Sequence, residues 1–181
     1  MTFAELMKTR QSVRRYDPRP VEEEKLERLI EAVRLSPSAS NSQPWKLVVV
    51  NEPGLREQVA RTTFSQAIAF NRFSLGAPVI VVFCVEKAGL VTQIGGFIKN
   101  RPFSLIDIGI AAAHFCLQAA ELGLGSCMMG WFDEKKIKGL LGIPSGTRIG
   151  LLVTLGYPAE EERLREKIRK DAGFISNFNR Y

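Results

Sequence analysis

The segment from Leu105 to Leu122 constrains the fold more than any other part of this 181-residue chain. It reads as a helix of about five turns, and it is apolar on nearly every face, with Asp107, His114 and Gln118 as the main interruptions. A helix with so little polar surface must be covered on all sides by other elements. A central core helix and a helix in a dimer interface both meet this requirement, and the residues alone do not choose between them.

Composition and charge exclude several classes of protein. The apolar runs are too short or too interrupted to span a bilayer, and the N-terminus lacks a signal-peptide core, so we expect a soluble, cytoplasmic protein without a membrane partner. The three cysteines, Cys84, Cys116 and Cys127, have apolar neighbours and no CxxC spacing, which argues against disulfides and against a metal site. The net charge is +6, but basic and acidic residues alternate, so a phosphate-sized anion is a sufficient partner and nucleic acid is not expected.

The hydrophobic periodicity predicts helices and strands that alternate unevenly within a single domain, residues 1–181. Predicted helices cover residues 2–9, 21–35, 53–61, 65–75, 105–122 and 134–141, and predicted strands cover 46–50, 77–85, 126–129 and 148–155. Residues 160–181 have no strong period and are interpreted as a C-terminal arm.

Three segments carry the polar groups from which a binding site could be made. Arg10, Ser12 and Arg14 alternate, so in extended backbone their side chains share a face and suit one anion, although taken alone the segment also fits a solvated basic turn. The decapeptide Ser36–Trp45 combines hydroxyls, amides and two prolines, which suits either a stiff binding loop or a solvated turn. The segment Gly123–Gly130 follows a helix and opens a strand, the reverse of the dinucleotide fingerprint, so a Rossmann fold is excluded. Its glycines suit either close approach to a flat ligand or a structural turn.

Side chains for hydrolytic or metal chemistry are scarce. His114 is the only histidine, and its place in the apolar helix favours a core or interface role. Without a CxxC spacing or a serine elbow, a catalytic triad or a metal site has little support. If the protein is an enzyme, a cofactor is expected to carry the chemistry.

Taken together, five segments resemble the FMN-dependent nitroreductase family, in the family's order and over most of the chain. They are residues 10–14, 36–45, 123–130, 140–144 and 155–158, of which the Ser36–Trp45 block is the most specific. The resemblance implies an α+β fold with a mainly antiparallel central sheet flanked by helices. It also implies an intertwined homodimer with two FMN sites at the subunit interface, which would explain the apolar helix.

The resemblance further implies which residues bind the cofactor. The set is Arg10, Gln11, Ser12, Arg14, Pro37, Ser38, Ala39, Ser40, Asn71, Arg72, Met129, Gly130, Lys167 and Arg169. Arg10 and Ser12 would hold the phosphate and ribityl chain together with the basic pair at 167 and 169, and Arg14 would lie near the pyrimidine edge of the flavin. The loop at 37–40 would come from the partner subunit. Asn71 would bond the flavin ring with Arg72 adding charge, and the backbone at 129–130 would face flavin N5.

The activity implied is reduction of an electron-poor acceptor, such as a nitroaromatic or a quinone, by NADH or NADPH through flavin N5. The mechanism would be ping-pong, and no protein side chain need act as an acid or a base. Alternatives are reductive dehalogenation, oxidative flavin cleavage, and storage or sensing of FMN. A nucleic-acid-binding domain is disfavoured because the aromatic residues fall mostly within predicted helices and strands.

Three features of this chain bear on its substrate range. Gln11 and the pair Met128–Met129 differ from frequent choices in the family. The aromatic pair Trp131–Phe132 lies next to the expected position of the flavin ring. The segment Gln93–Phe103 could be a lid over the pocket or a surface loop.

Overall fold

The computed structural model describes residues 1–87 and 101–181. The described helices are α1 (Phe3–Thr9), α2 (Glu23–Arg34), α3 (Pro53–Arg61), α4 (Phe103–Glu121), α5 (Glu134–Leu141) and α6 (Ala172–Ile175). Two short 3-10 turns cover Ala39–Asn41 and Arg72–Gly76. The strands are β1 (Trp45–Val50), β2 (Val79–Val85), β3 (Gly125–Met129) and β4 (Arg148–Gly156).

The four strands form one sheet in the order β1-β2-β4-β3, and each neighbouring pair is antiparallel. The antiparallel α+β fold is thereby confirmed. At the β3 edge, Ser12 pairs in parallel with Ser126, so the segment after α1 adds a short extended piece to the sheet. A second isolated bridge joins Tyr16 to Pro158 just beyond the end of β4.

Strand β2 is buried on both faces of the sheet. Val79, Val81 and Phe83 belong to the core shared with α2 and α4. Ile80 and Val82, which alternate with them, belong to the core shared with α3 and α5. Because both faces are covered, the strand is a continuous apolar run in the sequence and not an alternating one.

Helix α4 is the main helix of the first core. Its Phe115 packs edge-on against Phe83 of β2, with ring centroids 5.7 Å apart. Among the described helices, α4 alone has the length and composition that would allow it to cross a membrane. In this fold it lies against the sheet, and its buried face includes Ile108, Ala112 and Cys116.

The predicted helix at 65–75 is wrong, because the one helical piece in this segment is the 3-10 turn Arg72–Gly76. Ser65 Oγ accepts a hydrogen bond from Ile68 N, and Ser65 N donates to Ile68 O. Such local bonds close a tight turn and compete with the helical pattern. Asn71 therefore lies at the start of a short turn and not within a helix.

Most other element bounds agree with the sequence to within two residues. Thr2 and Glu5 form a capping box at α1, and Gly142 ends α5 in the left-handed region at φ 64°. The predicted lid lies outside the described residues except for 101–103, and Phe103 begins α4. Residues 163–181 are largely exposed, and α6 is their one described helix.

Candidate functional site

The segment Arg10–Arg14 is held in extended form along the edge of β3. Val13 N donates to Ser126 O at 3.0 Å. A Cβ added to Gly125 would lie 2.6 Å from Val13 Cγ2, so only glycine allows this approach. The close contact that Gly125 permits is therefore with Val13 and not with a ligand.

A polar network between the segment and strands β3 and β4 supports the backbone of the segment. The Tyr16 hydroxyl lies 2.8 Å from Val13 O and 2.7 Å from Thr154 Oγ1. Thr154 Oγ1 in turn donates to Cys127 O at 3.3 Å. Burial raises the pKa of Tyr16 well above its ordinary value, so the phenol stays protonated and keeps its donor.

The C-terminal arm brings further cations to this segment. Lys167 Nζ donates to Arg10 O, and Arg165 Nη2 donates to Ser12 O. Arg169, which the family resemblance pairs with Lys167, lies close enough for its charge to affect the pKa of Lys167. Partial burial, followed by the charges of Arg10, Arg169 and Arg165, lowers the pKa of Lys167.

This cluster of cations is poorly neutralised by the protein. Its carboxylate partner in the described part of the chain is Glu162, 3.0 Å from Arg165. Across residues 1–87 and 101–181, Arg10, Lys167 and Arg169 have no acidic group within 4 Å. Excess positive charge of this kind suits a phosphate group.

An aromatic surface lies beside the other end of the segment. The Arg14 guanidinium carbon is 5.8 Å from the centre of the Phe73 ring. Buried Asn71 donates from Nδ2 to Trp131 O at 3.1 Å. The rings of Trp131 and Phe70 meet edge-on at 6.3 Å, and they are 53% and 65% exposed. Exposed aromatic rings fixed in this way can accept a planar ligand.

The end of β3 opens onto this aromatic surface. Met129, its last residue, is buried, whereas Gly130 is exposed. A Cβ added to Gly130 would meet no described atom within 4 Å, so the backbone there is accessible. Arg72 is exposed at the start of the neighbouring 3-10 turn. The structure thus brings Arg14, Asn71 and the 129–130 backbone into one region.

The loop at 36–45 is fixed by hydrogen bonds within the loop and to α4. Ser38 Oγ accepts from Gln43 N at 2.9 Å, and Ala39 N donates to Asp107 Oδ1 at 3.1 Å. Three non-glycine residues have positive φ, namely Ser40 at 51°, Asn41 at 52° and Gln43 at 45°. Backbone strain of this kind costs about 1–3 kcal/mol per residue and is concentrated at functional sites. Pro37 and Ser40 are exposed.

Within one chain, this loop and the cation cluster contact opposite ends of α4. The loop bonds Asp107 near the start of the helix, and Ser36 Oγ lies 2.9 Å from His114 Nδ1 further along. Arg10 shares a cavity with Ala120 and Gly123 at the other end. At 1.5 Å per residue, the two ends are separated by about 20 Å. The structure therefore does not bring residues 37–40 to the arginines of the same chain.

Sequence reasoning missed several residues that shape the site. Arg165 reaches the segment from about 150 residues away, and no local pattern signals it. Phe73 lies under Arg14, although the failed helix prediction had placed it on a helix face. Asp107 had a signal that was not used, because it is a carboxylate inside an otherwise apolar helix. Its Oδ2 is buried without a hydrogen-bond partner among the described residues.

Comparisons with known proteins agree with this geometry. A model of the Nitroreductase family matches residues 7–157. An NADH dehydrogenase from Thermus thermophilus is 31% identical over 178 residues, which cover 84% of this chain and 84% of the relative. An iodotyrosine deiodinase from Thermotoga neapolitana is 28% identical over 171 residues, with 85% and 87% covered.

Solved structures lead to the same family. An FMN-dependent nitroreductase from Clostridium difficile R20291 superposes with a TM-score of 0.76 at 25% identity, over 99% of this chain and 100% of the other. The family match extends from α1 to the end of β4 and so includes the extended segment, the loop, the aromatic surface and the end of β3. The chain belongs to the nitroreductase family.

Proposed function

We propose that this protein is an FMN-dependent oxidoreductase that uses NADH or NADPH to reduce small electron-poor acceptors such as nitroaromatics or quinones. The observation that carries the proposal is that one extended segment, residues 10–14, joins a cationic surface to an aromatic surface. Arg10 lies in a poorly neutralised cation cluster, and Arg14 lies beside exposed aromatic rings and an accessible backbone. A ligand with a phosphate at one end and a flat ring at the other matches both surfaces.

The phosphate end of FMN fits the cation cluster. Arg10, Ser12, Lys167 and Arg169 would hold it, with Arg165 as a further cation that sequence reasoning had not included. Partial burial and, after it, the neighbouring cations lower the pKa of Lys167, and a bound dianion would favour the charged ammonium group against both effects.

The ring end of FMN fits the surface around Gly130. Arg14 supplies positive charge near the ring, and the bond from Asn71 to Trp131 fixes the neighbouring aromatic wall. The chemistry that FMN supplies when bound is transfer of a hydride from NADH or NADPH to an acceptor. The protein side chains bind and orient, and none of them is assigned as an acid or a base.

We propose a homodimer in which the 37–40 loop of the partner closes each site. The separation of about 20 Å between this loop and Arg10 along α4 supports an arrangement across subunits. In a dimer with a two-fold axis, each subunit would give its loop to the site of the other, so both sites would be complete. A cytoplasmic location is part of the proposal, supported by the unpaired, buried thiols of all three cysteines.

The test is the absorption spectrum of the purified protein, followed by anaerobic addition of NADH or NADPH. We expect a yellow protein that bleaches with the reduced nucleotide and regains colour with a nitroaromatic or a quinone. A protein that stays yellow would support storage or sensing instead. A colourless protein that cannot be reconstituted with FMN would overturn the proposal.

A matched pair of variants locates the phosphate end. Arg10→Ala should retain less FMN than wild type after purification. Arg61→Ala should retain as much as wild type, because Arg61 lies on α3 and pairs with Glu57 at the surface. Equal FMN content in Arg10→Ala and wild type would remove Arg10 from the site.

Reductive dehalogenation is the second candidate, favoured by the similarity to the deiodinase. The two activities differ in their products. The reduced protein would be offered a nitrophenol, a quinone and an iodophenol under the same anaerobic conditions, and iodide release would be measured. Iodide released faster than either other acceptor is consumed would reverse the order of the two candidates.

A further inference from the structure

The side chain of Gln11, which lies between Arg10 and Ser12 in the sequence, bonds the C-terminal arm. Its Nε2 donates to Arg163 O at 3.0 Å. Its Oε1 accepts from Arg165 N at 3.0 Å. Residues 163 and 165 present these groups on the same side of an extended chain, so the amide reproduces the pairing of a β-ladder.

These two bonds are half of the long-range hydrogen bonds that hold the arm. In the described part of the chain, four hydrogen bonds join residues 163–181 to residues 1–159. Gln11 makes two of them, and the other two run from Arg165 to Ser12 O and from Lys167 to Arg10 O. Beyond these anchors the arm is exposed, and Ile168 is 92% exposed.

A neutral side chain at position 11 suits the arm, because the positive charges of the arm are repelled by those of the segment on which it lies. Lys167 lies near Arg10, Arg169 and Arg165, and the one carboxylate that pairs with these cations among the described residues is that of Glu162. A lysine or arginine at position 11 would add to this repulsion. The glutamine amide bonds the backbone through one donor and one acceptor without adding charge.

We infer that Gln11 is a positioning residue that fastens the arm at Arg163 and Arg165 and thereby assembles the cationic site for a phosphate monoester. It acts on the ligand through these arm cations and not by direct contact. The inference rests on the proposed FMN function. It assigns to Gln11 a role different from the direct cofactor contact expected from the family resemblance.

The test compares FMN with riboflavin, which has the same ring and ribityl chain but no phosphate. Gln11→Met keeps the length of the side chain and removes both hydrogen bonds. We expect the affinity of the flavin-free protein for FMN to fall about tenfold or more, with riboflavin affinity changed less than twofold. Gln58→Met is the matched control, because Gln58 lies exposed on α3 and donates within its own helix to Gly54 O.

Hydrogen exchange of the flavin-free protein provides the second measurement. The Arg165 amide is protected by Gln11 Oε1, so Gln11→Met should increase exchange in the 163–167 peptide and leave the β2 peptide unchanged. Gln11→Ala should give the same result and serves if the first variant folds poorly.

The outcomes separate this inference from the proposed function. Equal losses for FMN and riboflavin, or no loss for either, would overturn the positioning role while wild-type flavin binding stands. Unchanged exchange at 163–167 would overturn the fastening role. A wild-type protein that binds neither flavin would overturn the proposed function and, with it, this inference.

Discussion

At the scale of single residues, the cations of the site are held by main-chain carbonyl groups. Lys167 and Arg165 donate to the carbonyls of Arg10 and Ser12, which fix position without cancelling charge. Among the described residues, Arg165 is the one cation of the site that pairs with a carboxylate, that of Glu162, whereas Arg34 on the surface of α2 pairs with Glu31 through two nitrogens. The protein thus keeps its positive charge available at the one place where an anion is expected.

The three cysteines are predicted to be unreactive in the folded protein. Burial raises the pKa of Cys116 to about 11 and also raises the pKa values of Cys84 and Cys127. Because the thiolate is the reactive form, iodoacetamide at pH 8 should modify none of the three in the native protein. In guanidinium chloride all three should react, which mass spectrometry would count. Modification of native Cys116 faster than global unfolding would contradict this placement.

At the scale of elements, hydrophobic periodicity was sufficient to predict the helices and strands whose apolar residues pack into the core. The two-sided strand β2 and the apolar helix α4 were both predictable, since their patterns report burial directly. The 65–75 segment was not, because its Ser65 side chain closes a turn that periodicity does not detect.

The part of the candidate site that follows a local sequence pattern was predictable, and the part that depends on distant residues was not. The alternation of Arg10, Ser12 and Arg14 is a local signal, and the structure keeps these residues in one extended segment beside β3. The bonds of Gln11 to residues 163 and 165 join parts of the chain about 150 positions apart. Such pairing is a property of the folded chain and leaves no local pattern in the sequence.

The packing of the extended segment on β3 predicts that Gly125→Ala is destabilising. The new Cβ would lie 2.6 to 2.7 Å from three atoms of the Val13 side chain, so the segment must shift. We expect a loss of about 1–3 kcal/mol in the free energy of unfolding, measured by chemical denaturation, together with weaker FMN retention.

Gly139→Ala is the control for this substitution. Gly139 lies within α5, and an added Cβ would meet no described atom within 4 Å. Alanine there should stabilise the protein by up to about 1 kcal/mol. If Gly125→Ala is as stable as wild type, the segment is not held against β3 as described.

At the scale of the whole molecule, the two parts of the expected site lie at opposite ends of α4. Arg10 lies near Ala120, and the 37–40 loop lies near Asp107. A flavin held by one chain alone would lack the loop. A flavin held between two chains would take its cations from one subunit and its loop from the other, so each subunit would contribute to both sites.

This arrangement predicts complementation between two variants that each lose FMN. Arg10→Ala removes a phosphate cation. Ser40→Asp places a carboxylate on the loop at a position with φ 51°, which aspartate tolerates. Each variant alone should purify with little FMN. Mixed in equal amounts by unfolding and refolding, they should form heterodimers in which one of the two sites carries neither substitution.

Random pairing makes half of all dimers mixed, so about a quarter of all sites should regain FMN. The flavin content of the mixture, measured by absorbance against protein concentration, gives this fraction directly. If the loop instead serves the site of its own chain, both sites of every heterodimer stay defective and FMN content remains at the level of the separate variants. That result would place the whole site within one chain, and it would leave the strained loop at 36–45 without a role in binding the cofactor across the dimer.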